Sequence, residues 1–186
     1  MAGNYVEANY RFIAAYQEVN VRIAQRQQAL ALYVTLIASL LAVMVALKPS
    51  QNSSDFPVEW LALGFPIASI CLVFLQYMSE RAIANLRHFL SVLEHLDNAD
   101  ERLPSYHLNP TWSLAANKAR RFHVFAAAVL VAGSNTIGLG TIIKVYPERM
   151  AENALILWFT AIVAAGSVIA LLVIPRWAYQ PERKSA

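Results

Sequence analysis

Residues 60–103 read WLALGFPIASICLVFLQYM and continue without a helix-breaking residue as SERAIANLRHFLSVLEHLDNADERL. The first part, residues 60–78, is uncharged and apolar, and its length suits a helix that crosses a bilayer, which takes roughly 17–25 residues. The second part repeats apolar residues at heptad spacing, a pattern typical of a helix that packs on another helix. These residues are Ile83, Leu86, Leu90 and Leu93. The pattern predicts one continuous helix over 60–103, half in lipid and half in water.

Composition agrees with a membrane protein. The chain has 186 residues, of which 58% are hydrophobic and 15% are charged, whereas ordinary soluble domains carry about 25% charged residues. Three more uncharged apolar runs occupy residues 29–47, 122–143 and 154–174. With 60–78 they predict four membrane spans. We expect an all-α integral membrane four-helix bundle that forms one structural unit.

The distribution of lysine and arginine predicts the orientation of the four spans. Only Lys48 and Arg149 lie in the short loops 48–59 and 145–153, with Lys144 directly beside the second loop, and the other twelve of the 15 basic residues lie in segments 1–28, 79–121 and 175–186. Basic residues concentrate in cytoplasmic loops, so both termini and segment 79–121 should be cytoplasmic. Aromatic residues near the predicted span ends are expected at the membrane surface; these are Tyr33, Trp60, Tyr77, Tyr146 and Trp177.

The N-terminal segment should be helical up to the first span. Residues 5–33 have a heptad-like apolar series that Asn9 and Arg26 interrupt, and no proline or glycine breaks it. A single straight helix is therefore expected, with a helix lying on the membrane surface as the alternative. We expect coiled-coil-like contacts outside the bilayer between this segment and the one after the second span. The expected contact residues are Phe12, Tyr16, Val19 and Ile23 on one side and Ile83, Leu86, Leu90 and Leu93 on the other.

Segment 79–121 is predicted to be a cytoplasmic helical hairpin. The first arm should close at Leu103-Pro104, because a residue before proline avoids the helical region. Asn109-Pro110 then suits the N-cap and first residue of a helix that runs into the third span. The cytoplasmic part would thus contain three helical arms.

The third span has small residues at every fourth position, namely Ala128, Ala132, Thr136 and Gly140. Small residues let helices approach closely in lipid, so this ridge is interpreted either as a packing face within the bundle or as a subunit contact or polar passage. Ser134, Asn135 and Thr136 form the most polar patch of any span. Asn135 at membrane depth would need a partner.

Motifs for chemistry are missing from the sequence. It contains no GxSxG, P-loop, GxGxxG, HExxH or CxxC pattern, so we expect no catalytic activity, cofactor or metal site, and a membrane enzyme is the least supported class. We also expect no nucleic-acid binding, because the basic residues follow the topology and are not gathered in one patch. The acidic residues Glu94, Asp97, Asp100 and Glu101 suit a solvated helix end. The four histidines suit an aqueous or interfacial position, and the lone Cys71 suits a buried thiol.

Two segments carry a resemblance to a known group. One is Tyr16-x-Glu18-Val19-x-x-Arg22-Ile23-x-x-Arg26, directly before a span, and the other is Leu86-x-x-Phe89-Leu90-x-x-Leu93-Glu94, directly after the next span. This arrangement resembles the SLATT-like membrane proteins of bacterial nucleotide-signalling and antiphage systems. The resemblance covers the first half of the chain. The second pair of spans departs from the two-span pattern, so a different small four-span subunit of a defence system is equally admissible.

The resemblance implies a membrane effector or sensor in the bacterial inner membrane. Members of the group act by perturbing the bilayer when a partner senses infection. For this chain it implies a homo-oligomer in contact with membrane lipids that forms a channel or perturbs the membrane, with a cytosolic protein partner or a signalling nucleotide as the trigger. The alternative is a non-catalytic anchor or scaffold subunit for a soluble partner.

Overall fold

The structure, a computed structural model, describes residues 7–47, 58–96, 101 and 104–180. Its helices are α1 (Ala8–Ala46), α2 (Val58–Glu94), α3 (Pro110–Val145), the short α4 (Pro147–Glu152) and α5 (Ala154–Val173), which a 3₁₀ turn, Ile174–Trp177, follows. The described residues form helices and connections without a strand, which confirms the predicted all-α class. The helices α1, α2, α3 and α5 are each long and apolar enough to cross a membrane.

Helix α1 joins the N-terminal segment to the first apolar run. It has 39 residues without a break, so at 1.5 Å per residue it is about 58 Å long, nearly twice the roughly 30 Å hydrocarbon core of a bilayer. The predicted continuous helix is confirmed over the described residues 8–46.

Helix α2 also continues beyond its apolar run, but it ends at Glu94 and not near residue 103 as the sequence pattern predicts. The reason lies in the following segment, where Ser105 and His107 fold back and donate hydrogen bonds to the Glu94 carboxylate. Of the predicted closure at Leu103-Pro104, Leu103 lies outside the described residues. Residues 48–57 of the first short loop also lie outside them.

Helix α3 begins where the sequence predicts. Pro110 is its first residue, and the Asn109 side chain caps it by accepting a hydrogen bond from the Thr111 backbone N–H at 2.9 Å. The helix then runs without interruption through the third apolar run. The short helix α4, in what the sequence predicts as a loop, was not expected.

The four long helices pack into one bundle. Helix α1 lies along α2, α5 packs against both α2 and α3, and α3 also contacts α1 and α2. The main core contains Phe65, Met44, Leu72, Val131 and Leu171 among its buried side chains. Many large apolar side chains lie on the outside of the same helices, for example Leu36, Ile70, Phe74, Phe125 and Trp158. Such an extensive apolar surface indicates a membrane protein.

A smaller core joins α1 and α2 away from the main core. Here Ala15, Val19 and Leu90 are buried, and Phe12, Ile23 and Leu86 pack against them. Ile83 is also buried and Leu93 is half-buried. Tyr16 differs from its predicted position, because it is 52% exposed and Ala15 takes its place in this core. We call the parts of α1, α2 and α3 at this end, residues 8–28, 79–94 and 110–121, the extension.

Candidate functional site

The charged cluster consists of Glu80, Arg26 and Arg120, which come from three different helices. The Glu80 carboxylate lies 3.4 Å from Arg26 Nη1 and 3.2 Å from Arg120 Nη2. Glu80 is only 1% exposed, Arg26 7% and Arg120 9%. Each residue stands two or three positions from the end of an apolar run. One buried carboxylate therefore ties α1, α2 and α3 together where the apolar runs meet the extension.

Hydrogen bonding in the charged cluster is incomplete. Among the described residues, Arg26 Nε and Arg120 Nη1 are buried without a hydrogen-bond partner, and the contact of Glu80 Oε1 with Arg120 is an ion pair without the alignment of a hydrogen bond. Buried ion pairs offset their desolvation cost only when their geometry is excellent and the remaining polar atoms are bonded. The charged cluster is therefore better suited to fixing the relative positions of three helices than to maximising stability.

Amide side chains surround the charged cluster. The Asn117 side-chain oxygen accepts hydrogen bonds from Arg120 Nη2 at 2.9 Å and from Arg87 Nη1 at 3.5 Å, and its amide N–H donates to the Tyr179 backbone carbonyl at 2.8 Å. Gln76 donates to the Arg26 backbone carbonyl at 3.5 Å. These bonds connect the cluster to the segment that follows α5.

Sequence patterns do not predict most of this cluster. Arg26 stands out as an interruption of an apolar seam, but Arg120 is one of several cytoplasmic bases. Glu80 does not stand out, because an acid just beyond an apolar run is typical of the start of a solvated segment. The sequence does contain a pattern that points to the cluster. Arg26, Glu80 and Arg120 each stand two or three positions outside an apolar run, at the ends that come together when successive runs are antiparallel, so one acid lies opposite two bases.

The polar cluster lies inside the bundle and consists of Tyr33, Ser69, Ser134 and Asn135. The Tyr33 hydroxyl is 2.6 Å from Ser134 Oγ and 3.3 Å from Ser69 Oγ. The Asn135 amide donates to Ser69 Oγ at 2.8 Å and to the Val131 backbone carbonyl at 2.8 Å. The structure thus gives Asn135 a partner on α2, while its buried side-chain oxygen has no partner in the described part of the chain.

Two aromatic residues correct the predicted belt at the membrane surface. Tyr33 is buried in the polar cluster, and Tyr146 is buried with its hydroxyl 2.5 Å from the Leu47 backbone carbonyl at the end of α1. Their hydroxyl groups can be buried because each has a partner. Trp60 is exposed, and Tyr77 and Trp177 form an edge-to-face pair with ring centroids 5.3 Å apart.

The small-residue ridge of the third span mostly faces away from the bundle. Ala128 is buried, but Ala132, Thr136 and Gly140 are exposed, and a Cβ atom added at Gly140 would meet nothing within 4 Å. This corrects the interpretation of the ridge as a packing face within one molecule. The close approach occurs at Gly138, where an added Cβ would lie 2.7 Å from the Phe65 ring.

Glu94 and His107 correct two further expectations. Glu94 is not solvated, because its carboxylate lies 2.6 Å from His107 Nδ1 and accepts hydrogen bonds from the His107 backbone N–H and from Ser105. His107 is buried and not on an aqueous face. Burial raises the pKa of Glu94, but the hydrogen bonds from His107 and Ser105 outweigh it, so the pKa lies below its ordinary value.

The remaining predicted residues show no chemical arrangement. Glu101 is exposed, while Asp97 and Asp100 lie outside the described residues. Cys71 is exposed on α2, which corrects the expected buried thiol. Within residues 7–47, 58–96, 101 and 104–180, no three His, Cys, Asp or Glu side chains are grouped so as to hold a metal ion. The two clusters are thus the candidate site, because each joins α1, α2 and α3.

No protein-family model, curated protein or solved structure matches this chain.

Proposed function

We propose that the protein is a four-pass effector or sensor of the bacterial inner membrane, oligomeric, that forms a channel or perturbs the bilayer in antiphage defence. A cytosolic partner protein or signalling nucleotide would act on the extension. The observation that carries the proposal is the charged cluster, in which buried Glu80 pairs with Arg26 and Arg120. The resemblance of residues 16–26 and 86–94 to SLATT-like proteins supports the defence setting.

The coupling follows from the continuity of the helices. Because α1, α2 and α3 each include an apolar run and part of the extension, moving one helix in the extension also moves its apolar run. Separating the charged cluster would expose the polar cluster to water, since both lie between the same three helices. The neutral hydroxyl and amide groups of the polar cluster would then line a polar path across an otherwise apolar bundle.

The decisive experiment is expression in bacterial cells with a membrane-potential dye. Glu80→Gln keeps the shape of the side chain but removes the charge that holds both arginines, so we expect depolarisation without a trigger. Glu18→Gln is the matched control, because Glu18 pairs with Arg22 on the surface of α1, where both side chains are 41% exposed. The two variants are compared at equal amounts of protein in the membrane. If cells with Glu80→Gln, cells with Glu18→Gln and cells without the protein all have the same membrane potential, the effector proposal is overturned.

The proposed orientation has its own test. With Cys71→Ala as background, single cysteines replace Ala8 in the extension or Glu148 in α4, both of which are exposed. If the termini are cytoplasmic, a membrane-impermeant maleimide labels the cysteine at 148 in intact cells and the one at 8 only after permeabilisation. The reverse pattern would contradict the proposed orientation.

A scaffold that anchors a soluble partner is the second candidate function. The exposed apolar side chains of Tyr10, Ile13 and Tyr16 on the extension favour it, because exposed apolar patches mark interaction sites. A scaffold would leave the membrane potential unchanged when Glu80 is replaced, and it would lose its partner when Ile13 and Tyr16 are changed to serine.

A further inference from the structure

The charged cluster contains more positive than negative charge. Within the described part of the chain, Glu80 is the carboxylate paired with Arg26 and with Arg120, and Arg87 and Arg121 add positive charge around Arg120. Taking charges out of water is costly unless opposite charge compensates them. This side of the bundle is therefore suited to binding an additional anion.

A cavity of about 220 Å³ lies beside the charged cluster, between the first turns of α3 and the segment after α5. Arg120, Lys118 and Arg121 contribute to its lining on α3, and Pro175, Ala178 and Gln180 line the opposite side. Its volume is below the roughly 300–1,000 Å³ typical of drug-sized ligands, so a small charged group suits it better. Arg120 is 91% buried, since 9% is exposed, and its Nη1 has no hydrogen-bond partner within residues 7–47, 58–96, 101 and 104–180.

We infer that Arg120, Lys118 and Arg121 form a binding site for a phosphate group, and that the phosphate of an anionic lipid headgroup occupies it. Guanidinium groups donate several hydrogen bonds in a plane that fits phosphate oxygens. The cavity stands directly beyond residues 122–143 and 154–174, the level that headgroups occupy in a membrane. Only the lipid source of the phosphate rests on the proposed membrane insertion.

Occupation of this site would affect the charged cluster through Arg120. That side chain contacts Glu80 through Nη2 and lines the cavity. A phosphate that binds Arg120 would compensate the excess positive charge beside Glu80 and stabilise the packed arrangement of α1, α2 and α3. Anionic lipid would then be a partner that stabilises the resting protein.

The test uses the full chain in a zwitterionic detergent, with short-chain phosphatidylglycerol, short-chain phosphatidylcholine and inorganic phosphate as probes. Binding is measured from intrinsic fluorescence. Lys118→Gln and Arg121→Gln alter exposed side chains and leave the Glu80 pairs intact, whereas replacing Arg120 would also disturb the fold. Lys144→Gln is the matched control, since it removes the same charge from the other end of α3, where Lys144 is exposed.

Phosphatidylglycerol should bind more tightly than phosphatidylcholine. Lys118→Gln should weaken phosphatidylglycerol binding about fivefold, because a base near an anionic membrane surface contributes about 1 kcal/mol, which corresponds to that change in affinity. The double variant Lys118→Gln with Arg121→Gln should weaken it about 25-fold. Lys144→Gln should have no effect. Inorganic phosphate that binds with this dependence, without a preference for phosphatidylglycerol, would support the anion site but overturn the lipid as its occupant. Equal effects of Lys118→Gln and Lys144→Gln would overturn the site itself, whatever the depolarisation experiment gives.

Discussion

The charged cluster and the polar cluster connect the same helices by different chemistry. Both contain groups from α1, α2 and α3: Glu80 with two arginines in one, and hydroxyl and amide groups in the other. Ser69, Ser134 and Asn135 cost little to separate, because each also donates a hydrogen bond to a backbone carbonyl of its own helix. A bond to its own helix, such as that of Arg120 to Asn117, does not replace the opposite charge that a buried charged group needs. The comparison indicates that the charged cluster sets the helix positions and that the polar cluster can rearrange.

Removing Glu80 should have the largest effect. Glu80→Ala leaves Arg26 and Arg120 buried without a counter-charge, which typically costs about 3–5 kcal/mol. Unfolding by SDS in mixed micelles should therefore occur at much lower SDS than for the wild type. Glu18→Ala, which breaks an exposed pair, should change the free energy of unfolding by at most about 1 kcal/mol. Similar losses in the two variants would mean that Glu80 is not buried between the arginines.

Replacing Gly138 by alanine should change the free energy of unfolding differently from replacing Gly140 by alanine. Both gain the same helix propensity, about 1 kcal/mol, but the Cβ at 138 would overlap the buried Phe65 ring and the Cβ at 140 would meet nothing. Overpacking typically costs about 1–3 kcal/mol, so Gly138→Ala should be less stable than Gly140→Ala by that amount in the same micelle assay.

The bulky change Gly140→Leu extends this comparison to oligomers. Gly140 is exposed on the ridge with Ala132 and Thr136, so Gly140→Leu should not destabilise one molecule, and its gain in helix propensity should resemble that of Gly140→Ala. If the ridge is a subunit contact, the oligomer size in detergent should fall, as measured by light scattering. An unchanged size would show that the ridge faces lipid.

Sequence patterns predicted much of the fold and little of the candidate site, for a physical reason. Length and apolarity are local properties, so the four runs, the continuous α1 and the Asn109-Pro110 helix start could be predicted. The pairing of Glu80 with Arg26 and Arg120 depends on how three helices are rotated, which a run of apolar residues does not determine. The same limit explains the ridge: small residues at every fourth position define a face, but Phe65 decides that Gly138 is the close contact. The end of α2 was missed because it depends on Ser105 and His107, which lie further along the chain.

The polar cluster should show a smaller effect on stability. Asn135→Leu removes the bond to Ser69, and such interhelical bonds contribute roughly 0.6–2 kcal/mol. Tyr33 remains bonded to Ser134, so the bundle should stay folded while any membrane depolarisation decreases. Thr136→Val is the control, because Thr136 is exposed and donates to its own helix at Ala132. A loss of stability as large as that of Glu80→Ala would contradict the distinction between the two clusters.

The smallest expected effect is the pH dependence of the free energy of unfolding that arises from the pair of Glu94 with His107. Because the pKa of Glu94 is lower in the folded than in the unfolded state, the unfolded state binds more protons between the two pKa values. The contribution to stability is therefore complete above the ordinary carboxyl pKa of 4.5 and is lost as pH falls through the lower folded value. Glu94→Gln should remove this component from a pH series of unfolding curves, and an unchanged series would show that the pair does not form.

A double-mutant cycle measures directly whether Glu80 and Arg120 interact, from the unfolding of Glu80→Gln, Arg120→Gln and the double variant in mixed micelles. A buried contact at 3.2 Å predicts a coupling free energy toward the upper end of the roughly 0.5–3 kcal/mol seen for residues in contact. The same cycle for the exposed pair Glu18 and Arg22 should give only about 0.3–0.5 kcal/mol. A coupling between Glu80 and Arg120 no larger than that of the exposed pair would contradict the account, because one buried carboxylate would then not join the three helices.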